Sequence, residues 1–217
     1  MASDAAQQRR TQAERRSESE EALLNAAAAL IAERGVERAS LASIGRNAGT
    51  SRGLPTHHFG SKDALVARLA LRVQDHVAES VGDVLERRAD GDRDEVSILS
   101  VLRTTLDTYL RMFEDPTAEE RALIVMWGAT FPSHASIDGM READRRSFDG
   151  WADFILQGQE DGSIRADLDA DAAAVVLFGM MRGIAALLLT ESDIIDGDNV
   201  RATCDQWIVA AFAPPAG

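Results

Sequence analysis

Residues 36–65 read VERASLASIGRNAGTSRGLPTHHFGSKDAL, and this stretch decides the fold. Ser40 stands where a helix N-cap is wanted. Leu41, Ile44 and Ala48 follow as a short apolar stripe at helical spacing. Gly49 breaks that helix, and Thr50-Ser51 offers a fresh cap at once. The spacing therefore predicts a third helix from Thr50 to about His58, and Ser61 caps a fourth. Two short helices joined by a tight glycine turn, with a helix on either side, make helix-turn-helix geometry. The steep angle lets the second short helix stand proud and enter a DNA major groove while the first crosses the backbone.

The side chains suit that task. Thr50, Ser51, Arg52, Thr56, His57 and His58 supply hydrogen-bonding groups, and Gly53 permits close approach. Arg52 can pair in bidentate fashion with guanine, and Thr56 and His57 can reach base edges or phosphates. Lys62 and Ser40 lie at helix starts, where side chain and backbone N–H groups together can pin a phosphate.

Working outward, Ser17-Glu18-Ser19-Glu20 reads as a capping box that opens the first helix, whose apolar face is Leu23, Ala26, Ala27, Leu30 and Ile31. Residues 1–17 are then expected to be a flexible arm. Its Arg9, Arg10, Arg15 and Arg16 either track DNA or form a solvated tail. Towards the C-terminus, Leu65, Leu69, Val73, Val77, Val81 and Val84 mark a long fourth helix. Further helices are expected over about 94–113, from the box at Thr117-Glu120 to Phe131-Pro132, and over about 136–159, 169–190 and 197–212. No hairpin or period-2 pattern stands out, so the expected class is all-α with about nine helices.

Composition narrows the function. The 217 residues are 45% hydrophobic and 27% charged, enough for a sizeable core. A single cysteine excludes a disulfide framework and a cysteine-built zinc site. The net charge of −13 is unevenly spread. Residues 1–70 hold 10 Lys and Arg against 8 Asp and Glu, and the remainder hold 13 against 28. A mildly basic head thus precedes an acidic body. The apolar run Ala172–Thr190 approaches membrane-spanning length but carries Arg182 at its middle, and reads as a buried helix. No leader pattern is visible at the start, and a cytoplasmic protein without membrane contact is expected.

From Ala39 to Gly53, and again over His58-Phe59-Gly60-Ser61-Lys62-Asp63-Ala64-Leu65, the chain resembles the DNA-binding domain of the TetR (tetracycline-repressor-like) family of bacterial regulators. The match covers about 50 residues. The resemblance implies an all-helical homodimer with an N-terminal three-helix head and a larger C-terminal domain for ligand binding and dimerisation. Its division would be arm 1–17, head 18–64 and body 65–213. Three residues depart from the family's usual pattern: Thr56 for tyrosine, Pro55 for leucine and Gly45 for alanine. Pro55 is expected to tighten or end the recognition helix early. Gly45 should cost its helix up to about 1 kcal/mol.

In the body, bulky Met and aromatic side chains suggest a pocket between helices for a largely apolar small molecule. The candidates are Tyr109, Met112, Phe113, Met126, Trp127, Phe131, Phe148, Trp151 and Met180, with Arg182 either lining the pocket or paired to an acid. Val176, Gly179, Gly183, Ala186 and Leu187, with Cys204, Trp207 and Ile208 on the last helix, form stripes that call for a partner protomer. Neither a nucleophile–base pair nor a metal-ligand set stands at recognisable spacing, so no enzyme, metal or cofactor is expected. The expected function is a ligand-responsive regulator, most simply a repressor, binding a palindromic double-stranded operator as a homodimer and released by a small-molecule effector. The alternative is a helical small-molecule-binding protein whose head contacts protein.

Overall fold

The computed structural model describes residues 12–89, 97–129, 138–191 and 193–215. Among these residues the chain forms nine helices and no strand. They are α1 (Gln12–Arg34), α2 (Leu41–Asn47), α3 (Leu54–Phe59), α4 (Lys62–Ala89), α5 (Ile98–Met112), α6 (Ala118–Ala129), α7 (Asp138–Glu160), α8 (Ala170–Thr190) and α9 (Gly197–Phe212).

Most starts follow local chemistry. Ser40 and Ser43 cap α2 reciprocally, each hydroxyl accepting from the other's backbone N–H. Ser97, Asp169 and Asp196 cap α5, α8 and α9 in one direction, each side chain accepting from the backbone N–H three residues on. At the box before α6, the Thr117 N–H donates to Glu120 Oε2 at 2.6 Å. The start of α1 differs from expectation. It begins at Gln12, and Ser17–Glu20 lie inside it, with Ser19 Oγ donating to the Arg15 carbonyl at 2.8 Å. Gln, Ala, Glu and Arg favour helix, and no breaker separates them from the buried turns that start at Leu23. The helix therefore propagates outward at little cost. Residues 12–17 of the expected arm are helical, and Arg9 and Arg10 lie outside the described residues.

Helix α1 buries Leu23, Leu24, Ala27 and Ile31, packing on α4 and α6. Helix α7 packs along α8, α4 lies on α5 and α7, and α9 packs on α5. The buried side chains form one continuous cluster from Leu23 to Phe212. The expected boundary at residue 64 consequently falls inside the first turn of α4, whose Leu65, Val66, Leu69, Ala70 and Val73 are all buried. Arg72 fastens the two parts together. One guanidinium nitrogen donates to Asn25 Oδ1 of α1 at 2.9 Å and to Glu119 Oε1 of α6 at 2.5 Å.

Helix α8 is long and apolar enough to cross a membrane. Here it turns Ala174, Leu177, Phe178, Met181 and Ala185 inward and leaves Val176, Gly179, Gly183 and Leu187 exposed. Arg182 pairs with Asp144 of α7 at 3.2 Å. On α9 the expected interface stripe divides. Trp207 is 65% exposed, whereas Cys204 and Ile208 are 3% and 2% exposed and belong to the protomer's own core. Successive helical residues are about 100° apart, so Trp207 and Ile208 cannot share a face. Burial pushes the Cys204 thiol up.

Arg201 lies one turn before Cys204 and is only 5% exposed. It is ion-paired with Asp107 and Glu114 from the α5 end and with Asp198 on its own helix. Replacing it by alanine removes the common partner of three carboxylates and the apolar stem beneath them. Arg201→Ala should lower stability by about 2–4 kcal/mol, and Arg201→Met should recover part of that loss. Urea unfolding monitored by far-UV circular dichroism checks both.

Candidate nucleic-acid interface and internal cavity

The head is α1 to α3 with the first turns of α4. Its turn is a glycine-terminated helix end. Gly49 has φ of +68°, its N–H donates to the Arg46 carbonyl, and the Thr50 N–H reaches back to the Gly45 carbonyl at 2.9 Å. Thr50 is held in that turn. Its Oγ1 donates to the same Gly45 carbonyl at 3.1 Å, and the side chain is half-buried.

Helix α3 starts four residues later than the sequence suggests. Gly53 is its N-cap and Pro55 sits in its first turn. Had the helix begun at Ser51, residue 55 would have had to donate its N–H to the Ser51 carbonyl. Proline has no N–H, and its ring clashes with that carbonyl. Pro55 thus opens the recognition helix instead of ending it. Ser51, Arg52 and Gly53 lie in the turn and remain exposed, as do Thr56 and His57 on the first turn of α3. His58 is half-buried, its ring 6.0 Å from that of Phe59.

Gly45 and Pro55, which read separately as departures, turn out to be one feature. Pro55 is buried against Gly45. A Cβ on residue 45 would lie 2.9 Å from the Ser51 carbonyl oxygen and 3.2 Å from the Pro55 ring. The absent side chain is what lets the turn and α3 close onto α2. Ser40 remains exposed at the start of α2. Lys62 is half-buried at the start of α4, its Nζ donating to the Glu37 carbonyl at 3.4 Å.

The body holds a cavity of about 420 Å³ among α4 to α8. Of the residues singled out in the sequence, Tyr109, Trp127 and Trp151 line it. Phe113 and Met126 do not. Each is 1% exposed and packed in the core, Phe113 one turn below Tyr109 with ring centroids 5.0 Å apart. Phe148 stands behind the wall, edge-on to Phe178 at 5.0 Å. Met112 and Met180 are half-buried against the core, and Phe131 falls outside the described residues. Phe154, another of the bulky side chains that the sequence offers in the middle helices, also lines it, and the remaining walls were not foreseen: Gln74, Val101, Thr105, Leu123, Ser147, Gly150, Phe178 and Met181, with Gly82 and Arg146 also contributing. An i, i+4 pattern of Val101, Thr105 and Tyr109 on one helix was the available signal, but Val and Thr lack the bulk of Met and the aromatic side chains.

Arg182 sits behind this wall. Its guanidinium carbon lies 4.3 Å from the Trp127 ring centre, and Asp144 neutralises it. Burial raises the Asp144 carboxyl above its usual range, while Arg182 and the Trp127 side chain oppose that rise. Burial likewise pulls the Arg182 guanidinium down, against the pull of Asp144. Tyr109 is raised well above the ordinary phenol range by burial, with Arg182 opposing.

An all-helical chain with an exposed helix-turn-helix ridge joined through a common core to a cavity-bearing body is built as a DNA-binding regulator. Residues 23–69 match the model for bacterial regulatory proteins of the tetR family. The transcriptional regulator PksA of Bacillus subtilis is 25% identical over 181 residues, 82% of each chain. The transcriptional repressor KstR2 of Mycobacterium tuberculosis is 28% identical over 155 residues, 69% of this chain and 70% of that one. Among solved structures, a complex of SmeT with triclosan superposes with a TM-score of 0.73 at 20% identity, covering 92% of this chain and 93% of that one. SmeT is the repressor of a multidrug efflux pump in Stenotrophomonas maltophilia. The head thus resembles that of TetR-family regulators, and the chain as a whole is similar to bacterial transcriptional regulators.

Gly45→Ala should be destabilising even though alanine is the better helix former. The new Cβ meets backbone and a proline ring, and overpacking of this kind costs about 1–3 kcal/mol. Gly53→Ala, where a Cβ meets open space, should change the melting temperature little. Thermal unfolding of the two variants side by side is the check.

Proposed function

We propose that the chain is a ligand-responsive repressor. It binds a palindromic operator as a homodimer and is released when a small, largely apolar molecule fills the cavity. The observation that carries this reading is the double membership of α4. Its Leu65 and Leu69 are buried in the core it shares with the head, and Gln74 of the same helix lines the cavity. A molecule that shifts the cavity walls therefore acts on a rod that also holds the recognition helix. It can weaken operator binding only by its differential affinity for two head positions, typically 1–3 kcal/mol of coupling.

Ser51, Arg52, Gly53, Thr56 and His57 are the exposed candidates for the major groove, with His58 at their edge. Thr50 serves the turn. Ser40 and Lys62 are assigned to the phosphate backbone, Lys62 after release of a weak bond to Glu37. We divide the chain by task into a head through residue 64 and a body over 65–213, working in the cytoplasm beside DNA. The second protomer is assigned to the outer faces of α8 and α9. Val176 is 67% exposed there, Leu187 and Trp207 are also exposed, and Gly179 and Gly183 leave room for close approach. Ala186, half-buried, borders this patch. Such a dimer sets the recognition helices about 34–36 Å apart, one turn of DNA.

Selection from random duplexes tests the whole reading. Enrichment of an inverted repeat is expected, and its absence would favour a head that contacts protein. Arg52→Ala should weaken operator binding by about 1–3 kcal/mol and relax preference at one base position in each half-site. Unchanged preference in a mobility-shift series would remove that role. Trp207→Glu should yield monomers in sedimentation velocity without altering the circular dichroism of the fold.

A further inference from the structure

We infer that the cavity selects an uncharged ring compound bearing a hydroxyl donor and discriminates against carboxylates. The inference rests on reading the cavity as the effector site and adds the chemical class of its occupant.

Three observations lead there. First, the wall is aromatic: Tyr109, Trp127, Trp151, Phe154 and Phe178 contribute rings. Flat or polycyclic apolar bodies stack and pack edge-on against such walls. Second, among the described residues the cavity offers no buried free charge to an anion. Arg182 lies behind Trp127 and is held by Asp144. Arg146 is a wall residue, but its side chain is largely exposed and lies 3.6 Å from Asp75. A carboxylate placed among the rings would be desolvated without a dedicated partner, which is strongly unfavourable.

Third, two hydroxyls of the wall are set to accept. Thr105 Oγ1 donates its hydrogen to the Val101 carbonyl at 2.9 Å. Ser147 Oγ donates to the Ala143 carbonyl at 3.2 Å, and Gln74 Nε2 donates to the same carbonyl at 3.4 Å. Each hydroxyl hydrogen is thus committed within its own helix, while the oxygen lone pairs remain for a ligand. Burial keeps the Tyr109 phenol protonated, so it adds a neutral hydroxyl and no negative charge. A ligand hydroxyl can donate to the Thr105 and Ser147 oxygens and accept from the Tyr109 hydroxyl, whereas a ring without a polar group leaves those oxygens unused.

The test uses three fluorescent probes that share one ring system: 1-pyrenemethanol, 1-pyrenecarboxylate and 1-methylpyrene. Each is titrated against the full-length protein, and each is also added to the preformed operator complex. The alcohol should bind about tenfold or more tighter than the carboxylate, and several-fold tighter than the methyl compound. The double variant Thr105→Val, Ser147→Ala should lose the alcohol's advantage over 1-methylpyrene while binding 1-methylpyrene as before. Carboxylate binding equal to or tighter than the alcohol overturns the inference and leaves the cavity as effector site intact. An alcohol no tighter than the methyl compound also overturns it. Failure of all three to bind removes the effector site together with the inference. Selective binding of the alcohol without operator release supports the inference and sinks the repressor-release reading instead.

Discussion

The rest of the structure depends on α4 belonging to two places at once. Its first turns complete the head, and five residues beyond Leu69 the same helix presents Gln74 to the cavity. A helix held by buried side chains moves as a unit, because packed interiors shift between discrete arrangements instead of deforming smoothly. The contact of α1 with α6 and the bridge from Arg72 to Asn25 and Glu119 give the head a second attachment to the body. The head is therefore not a bead on a linker. In the proposed reading, a change among the body helices would reach the helix-turn-helix through these two attachments.

The charge distribution fits this division. In the proposed reading, the mildly basic head would meet DNA with few cations, so directed contacts would have to supply the affinity and salt should weaken it. Some of the acidic body's carboxylates pair with arginine. Arg103 with Asp205, Arg182 with Asp144 and Arg201 with Asp107 and Glu114 tie segments that are distant in sequence. Exposed pairs such as Arg103–Asp205 contribute little. Arg201 is different because it is buried, and its loss would strand groups that the fold has already brought together.

Much of the architecture was legible in the sequence, because helix caps and apolar periodicity are local. Ser40, Thr117, Asp169 and Asp196 mark their starts, and breakers separate the helices. The head's exposed polar ridge was legible for the same reason. Three kinds of detail were not. Helix α1 is already formed at Gln12, in a polar stretch, so the capping motif at Ser17 lies inside the helix and not at its start. The start of α3 depends on Pro55, whose ring excludes an earlier helix, against the local preference of Thr50 and Ser51. The cavity wall depends on which side of each helix faces a void. Tyr109 and Phe113 are one turn apart on α5, yet only Tyr109 reaches it. The same ambiguity put Ile208 on the surface in the sequence and in the core of the structure.

The mutual fit of Gly45 and Pro55 has a consequence for anyone recombining heads between related regulators. Residue 45 lies in one short helix and residue 55 in the next, and they meet only through the closed turn. A chimera that joins one donor's first short helix to another's recognition helix would separate the hole from the ring that fills it. Such swaps should therefore move the whole block from Leu41 to Phe59, as the smallest unit that carries its own geometry.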